Sequence, residues 1–472
     1  MAWRRQPVRR AVIAVTAGLL MLLAAPATAS HERGGARFRP GAPGVGDEYF
    51  PLAGNGGYNV AHYHLRMDYE PEGNDLRATV RISARATQNL SSFNLDFRGF
   101  DIARVTVDGD RARYRRDGQE LTVTPRHKLR AGRRFAVAVT YAGQPQQLVD
   151  PDGFLYGWIP TDDGSFVANE PDGASSWYPV NDHPTDKATY SFVITVPDGY
   201  TAVANGLLKD RSRSRAGTTF TWVAKDQTAS YLTTASVGRF DLRTSSLPDG
   251  LPNIEAIDVD LVGDPGLAVF DGTADQLDYL SSVYGPYPFE AVGAIVDDAE
   301  DIGYALETQT RPIYAGVPSE DTVVHELAHQ WVGNWVSPGR WQDIWLNEGF
   351  ATYSEWLWTE SQGGATTAET FADLYSTPAE EESLWNPPPG DPGADNLFET
   401  SVYLRGAMTL QVLREAVGDD AFFEILREWV DKYRDGTATT PDFIELAERI
   451  SGEQLDALFE EWLYTEGKPA LP

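Results

Sequence analysis

The sequence predicts a multidomain chain, β then α+β: an all-β N-terminal half of curved or saddle-shaped sheets, followed by a mainly α-helical half. Three observations carry this expectation. From about Tyr49 to Leu242 apolar residues alternate strictly with polar ones, the two-residue period of strands with one buried face. The break Ser245-Ser246-Leu247-Pro248-Asp249-Gly250 ends that pattern, and beyond it apolar residues recur three or four apart. At 472 residues, 42% hydrophobic and 11% aromatic, the chain can fill two or three cores and is not a disordered protein.

In chain order, Arg4, Arg5, Arg9 and Arg10 precede an apolar run from Ala11 to Ala25 that ends in Ala27-Thr28-Ala29. This is the form of a secretory signal peptide over residues 1–29, with an apolar stretch too short for a comfortable membrane span. A secreted, extracellular mature chain with no stable membrane insertion is expected, and an uncleaved N-terminal anchor is the alternative. There is no cysteine, so neither a disulfide framework nor a lipid-modified cysteine is available. Residues 30–45, rich in Gly, Arg and Pro, are expected to form a disordered leader. The formal charge is −30, from 39 basic and 69 acidic residues, which repels nucleic acid and anionic membranes.

The all-β domain is expected over 46–245. Tyr63, Leu65, Met67 and Tyr69 share one strand face; Leu76, Ala78, Val80, Ile82 and Ala84 share another. Phe135-Val137-Val139-Tyr141 and Tyr190-Phe192-Ile194-Val196 repeat the theme, with turns such as Glu72-Gly73-Asn74-Asp75 between. In the second half, 246–472, the pattern predicts a helix over Ala274 to Tyr284 and a strand over Val292 to Val296. A turn is expected at Ser337-Pro338-Gly339, and a long loop over 378–398. Helix starts are expected at Asp419, at Thr440-Pro441, and at Ser451-Gly452-Glu453-Gln454, which has the form of a capping box.

The chemistry concentrates in His325-Glu326-Leu327-Ala328-His329. On a helix, residues four apart lie on nearly one face, so both imidazoles can bind one metal while Glu326 points toward water on that metal. Neutral imidazoles suit zinc, and a catalytic zinc takes three protein ligands and leaves one position for water. Glu348, separated from His329 by eighteen residues, is the candidate third ligand, in the first turn of a helix from about Ile344 to Trp358 on which Leu346, Phe350, Tyr353 and Leu357 recur with helical period.

The run HELAHQWVGNWVSPGRWQDIWLNEGFATYSEW resembles the zinc site of the membrane alanyl aminopeptidase family, gluzincins in which H-E-x-x-H is followed by a glutamate within W-L-N-E-G-F-A. The resemblance implies one zinc ion per chain on His325, His329 and Glu348, with Glu326 as general base. It implies a saddle-like N-terminal domain and, over 246–472, a thermolysin-like catalytic domain. The chain ends soon after Gly467-Lys468-Pro469, without the large C-terminal helical domain of many members, so the resemblance leaves open how enclosed the site is.

Further residues follow from the same resemblance. Ser401-Val402-Tyr403-Leu404-Arg405-Gly406 is similar to the family's Y-x-K/R-G segment, which implies Tyr403 as the donor to the developing oxyanion; Arg405 would buttress the site. Tyr304-Ala305-Leu306-Glu307-Thr308 stands where members have G-A-M-E-N, and Asn169-Glu170-Pro171 where they have Q-F-E-P. Glu307 and Glu170 are thereby implied as ligands of a substrate's α-ammonium, although Tyr304 and Thr308 replace the motif's glycine and asparagine. The expected function is a secreted zinc aminopeptidase acting on peptides or small proteins. A zinc endopeptidase or other hydrolase on the same site is one alternative, and a catalytically silent binding protein, disfavoured by the intact Glu326, is another.

Overall fold

The computed structural model describes residues 37–471, so the expected signal peptide lies outside the described residues. The alternating segments form an eight-stranded mixed sheet whose centre pairs Ala188–Val196, Tyr58–Glu70, Asp75–Ala86 and Arg134–Gly143. Register follows the period-two pattern: Tyr63 pairs with Ile82, Leu65 with Val80 and Met67 with Ala78, all buried on one face. Tyr63 stacks on Tyr190 at 5.0 Å between centroids across the parallel junction with Ala188–Val196. A five-stranded sheet in the order Gln147–Val149, Leu155–Pro160, Ser165–Ala168, Ala235–Gly238, Thr201–Ala204 shares the first apolar core. Its strand Ser165–Ala168 leads directly to Glu170.

A third sheet opens the second half, in the order Phe240–Ser246, Pro252–Asp258, Val292–Asp297, Ile313–Ala315, Ala305–Leu306. Its first strand pairs along its whole length with Pro252–Asp258, so this sheet takes in residues ahead of the boundary expected at 245. The turn-rich break is the tight connection of that hairpin: Leu247 N–H donates to the Leu251 carbonyl across it. The antiparallel edge strand Ala305–Leu306 delivers Glu307. A second apolar core joins this sheet to the helices Thr273–Tyr284, Glu320–Ala328, Trp345–Ser361 and Thr400–Val417.

Several local expectations are corrected. Order begins before residue 46: Arg39–Pro40 pairs parallel with Leu90–Ser92, and Gly41 N–H donates to Ser92, so backbone pairing fixes a segment whose composition suggests disorder. Val336–Pro338 is a short strand paired with Gly436–Ala438 rather than a turn; the proline terminates it, where its missing N–H costs least. Asp419 is the first residue of its helix, not the cap, because its carboxylate is taken by Arg414. Thr439 rather than Thr440 closes a capping box with Asp442, and Thr440 donates instead to Asp343. Ser451 ends a helix, since Gly452 adopts the left-handed conformation (φ 75°) of a C-terminal cap. The loop 378–398 contains the short helix Glu382–Trp385.

Candidate active site

The helix Glu320–Ala328 starts where Ser319 accepts from Thr322 N–H, with Glu320 and Asp321 against its positive end. Val323, Val324, Leu327 and Ala328 bury the core side. The regular helix ends at Ala328, and His329 is its C-terminal cap residue; its φ of −55° and ψ of −25° are still helical, so the imidazole spacing survives. Glu348 occupies the first turn of Trp345–Ser361, as the motif spacing predicts. The next residue, Gly349, meets Gly406 of Thr400–Val417 backbone to backbone. A Cβ on Gly349 would lie 2.8 Å from the Gly406 carbonyl carbon, and one on Gly406 would lie 3.0 Å from the Gly349 Cα.

Three candidate ligand atoms converge. His325 Nε2 lies 3.2 Å and His329 Nε2 3.4 Å from Glu348 Oε2. The other ring nitrogens are already committed: His325 Nδ1 meets Glu355 Oε1 at 2.6 Å, and His329 Nδ1 meets the Val332 carbonyl at 3.0 Å. Both partners are acceptors, so each Nδ1 carries a proton and each Nε2 is left to face Glu348, with a lone pair for a metal when the ring is neutral. With both rings neutral, two lone pairs and one carboxylate oxygen face a single point, which a cation would occupy. The donor set of two imidazoles and a carboxylate therefore fits zinc.

Electrostatics point the same way. Burial works to raise Glu348, but His329 and His325 override it and hold the carboxylate down to about 2. Burial opposes charge on both imidazoles, yet Glu348 and Glu355 for His325, and Glu348 and Glu307 for His329, raise their proton affinity above the ordinary value. The pocket thus stabilises positive charge at this point.

All seven sequence-derived residues, Glu170, Glu307, His325, Glu326, His329, Glu348 and Tyr403, line one cavity of about 580 Å³. Glu326 is buried with an Oε2 that has no hydrogen-bond partner, and burial pushes it up to about 8 against the pull of His325 and His329. The Tyr403 ring stacks on His325 at 5.9 Å, and burial with Glu348, Glu170 and Glu307 nearby raises the phenol well above its ordinary value, keeping it a donor. Glu170 and Glu307 are 7% and 2% exposed, and each has an Oε1 without a partner. Burial, then Glu307, raises Glu170; burial also raises Glu307.

Other functional contacts were not legible in the motifs. Glu355 is one carboxylate among many on a helix, and only the fold places it behind His325. Gln330 and Asn334 both donate to the Glu307 carbonyl, at 3.2 and 2.7 Å, and Gln330 Oε1 accepts from Thr310 N–H, so the residues after the histidines lock the Glu307 segment. Tyr304, standing in place of the motif's glycine, donates to the Leu155 carbonyl at 2.6 Å and bridges the two halves at the cavity wall. Arg405 is fully buried and donates to the carbonyls of Trp385, Glu461, Trp462, Thr465 and Gly467, which makes it a structural clamp behind Tyr403.

Comparison with known proteins identifies the family and its fold. Residues 59–232 match the peptidase M1 N-terminal domain, and residues 304–462 match the peptidase family M1 domain. The M1 zinc metallopeptidase of Deinococcus radiodurans has a solved structure that superposes with a TM-score of 0.83 at 31% identity, covering 91% of this chain and 98% of that one. A mutant of it bound to a Tyr-Ser-Ala substrate gives a TM-score of 0.84 at 31% identity, over 91% and 99% of the two chains. Probable aminopeptidase 2 of Sulfurisphaera tokodaii is 25% identical over 63% of this chain and 41% of its own. Glutamyl aminopeptidase of Sus scrofa is 25% identical over 88% of this chain and 48% of its own. The chain thus spans less than half the length of these two curated relatives.

Proposed function

Because this chain belongs to peptidase family M1, whose matched structures are zinc metallopeptidases, we propose that it is a secreted zinc aminopeptidase removing N-terminal residues from peptides or small proteins. The observation that carries the reading is the pair Glu170 and Glu307. Two buried carboxylates, each with an unpartnered oxygen, open into the cavity that holds the His325, His329 and Glu348 cluster. A free α-ammonium, whose pKa near 8 leaves it mostly charged at neutral pH, is the group that satisfies both.

His325, His329 and Glu348 would hold a zinc ion, which would supply Lewis acidity toward a water and a carbonyl. Glu326 takes the water's proton on its unpartnered Oε2 and returns it to the leaving amine. Tyr403, kept protonated, donates to the oxyanion as it forms. Glu170 and Glu307 come from different halves of the chain and together hold the substrate's amino end, so the first peptide bond lies within reach of Glu326. The Arg-led apolar segment at the start of the sequence supports export. Among the described residues no helix is long and apolar enough to cross a membrane.

A panel of aminoacyl fluorogenic substrates, assayed with and without chelator, tests the proposal. Chelator-sensitive release from free-amine substrates is expected. Turnover indifferent to chelator, or confined to internal bonds of N-blocked peptides, would reject it.

A further inference from the structure

Away from the cavity, Asp163, Asp258 and Asp297 bring one carboxylate oxygen each within 4.8 Å of one another. Asp258 and Asp297 end the adjacent parallel strands Pro252–Asp258 and Val292–Asp297, and Asp163 sits in the turn between Leu155–Pro160 and Ser165–Ala168. Asp297 is 1% exposed, and its Oδ2 has no hydrogen-bond partner. Among the described residues the one cation paired to this group is Arg239, whose N–H and Nε donate to Asp163 Oδ2 at 2.8 and 3.3 Å. Asp258 Oδ1 accepts from Asp260 N–H at 2.8 Å, and among the described residues no basic side chain forms an ion pair with Asp258 or Asp297. Burial first, then Asp163, Asp258 and Asp298, pushes Asp297 up to about 8.

Buried carboxylates are ordinarily paired or bound to a metal, and leaving one orphaned beside two others is costly. From the three converging carboxylates and the orphaned Asp297 oxygen we infer that Asp163, Asp258 and Asp297 form a second divalent-cation site, of the calcium class, distinct from the zinc cluster. All its donors are hard oxygens, which disfavours zinc. Calcium tolerates irregular shells of carboxylates completed by water, and the side chain of Asp163, 13% exposed, leaves a wet side. Magnesium demands a near-ideal octahedron and gives up its waters reluctantly.

The placement gives the site a role. Asp163 lies seven residues ahead of Glu170, through the strand Ser165–Ala168, and Asp297 lies ten ahead of Glu307. A cation here clips together the two segments that continue to the two amine-binding carboxylates.

The test is thermal unfolding of the zinc-loaded full chain, desalted and then titrated with calcium chloride through about 10⁻⁴ to 10⁻³ M, the range of extracellular calcium modules. Wild type should gain several degrees in Tm. Asp297→Asn should lose that gain while unfolding at or above the calcium-free wild-type temperature, because the buried repulsion is relieved. Asp163→Asn, at a partly exposed turn, is the second variant should the first not fold, and it too should lose the gain. The inference is overturned by no calcium response in wild type, by a response that survives in a folded variant, or by sodium chloride at equal ionic strength reproducing it. A larger gain with magnesium chloride than with calcium chloride overturns the assignment to the calcium class.

Discussion

Glu355 accepts the Nδ1 proton of His325 at 2.6 Å, which turns the opposite nitrogen of that ring toward Glu348. A carboxylate behind a metal-binding histidine fixes its tautomer and raises its basicity. Glu355→Ala should therefore weaken zinc affinity by about 10- to 100-fold, with Glu355→Gln intermediate. Competition with a metal-binding dye reads this directly, and an unchanged affinity would mean that the contact only packs the helices.

Glu326→Gln should keep the metal and lose turnover. The amide is nearly isosteric and Glu326 is not one of the His325, His329 and Glu348 set, but an amide cannot accept the proton; loss of a general base costs about 10²- to 10⁴-fold. Zinc content by elemental analysis and kcat are measured on the same sample. Retained kcat would refute the assignment of Glu326 as base.

For Tyr403→Phe the expected signature is a fall in kcat of about 10²- to 10³-fold, about 3 kcal/mol, with little change in KM. The ring still stacks on His325, so only the hydroxyl is lost. A rise in KM at constant kcat would instead place the phenol in ground-state binding.

Acetylating a peptide's amino group removes the charge that Glu170 and Glu307 await and adds atoms where the substrate should end. Cleavage should be abolished. Glu307→Ala should damage turnover of free-amine peptides and leave blocked ones no worse. Matched peptides with products identified by mass decide the matter, and internal cuts in the blocked peptide would point to an endopeptidase.

Two adjacent buried groups should act on stability with opposite sign. Burial pulls Lys187 down to about 7 from 10.5, although its ammonium donates to the Asn334 and Trp335 carbonyls. Between those values the unfolded chain binds a proton the folded one lacks, so this residue makes stability rise with pH. Burial raises Asp186 to about 7 from 3.8, so between those values the folded chain holds the extra proton and stability falls as pH rises. Relative to wild type, Lys187→Met should make the slope of the urea-midpoint profile less positive above about pH 7, and Asp186→Asn should make it less negative below that pH. Slopes are compared rather than absolute stabilities, because Lys187→Met also strands two carbonyls. Parallel profiles would show both groups ionised as in water.

Features that depend on neighbours in sequence were legible from it. The faces of Tyr63 to Tyr69 and Leu76 to Ala84 were fixed by period, and the zinc cluster by a local motif plus one spaced glutamate. What escaped depends on partners remote in the chain. Glu355 and Asp297 look like any acid until a fold puts His325 beside one and Asp258 beside the other. Ser451 mimics a helix start because a capping motif and a glycine-terminated helix end use overlapping residue types. Arg39–Pro40 lacks any strand signature and is ordered by the edge it pairs with.

The contact of Gly349 with Gly406 has a consequence for how variation at the site would be tolerated. Glu348 precedes one glycine and Tyr403 stands one helical turn before the other, so a single point of touch sets the separation of a candidate metal ligand from a hydroxyl on another helix. Neither glycine contributes an atom to the chemistry, yet one added methyl at either works as a wedge, prising the two helices apart by their backbones. A damaging conservative change beside this pocket is therefore invisible to any scan of polar groups: it is a single methyl, placed where hydrogen alone fits.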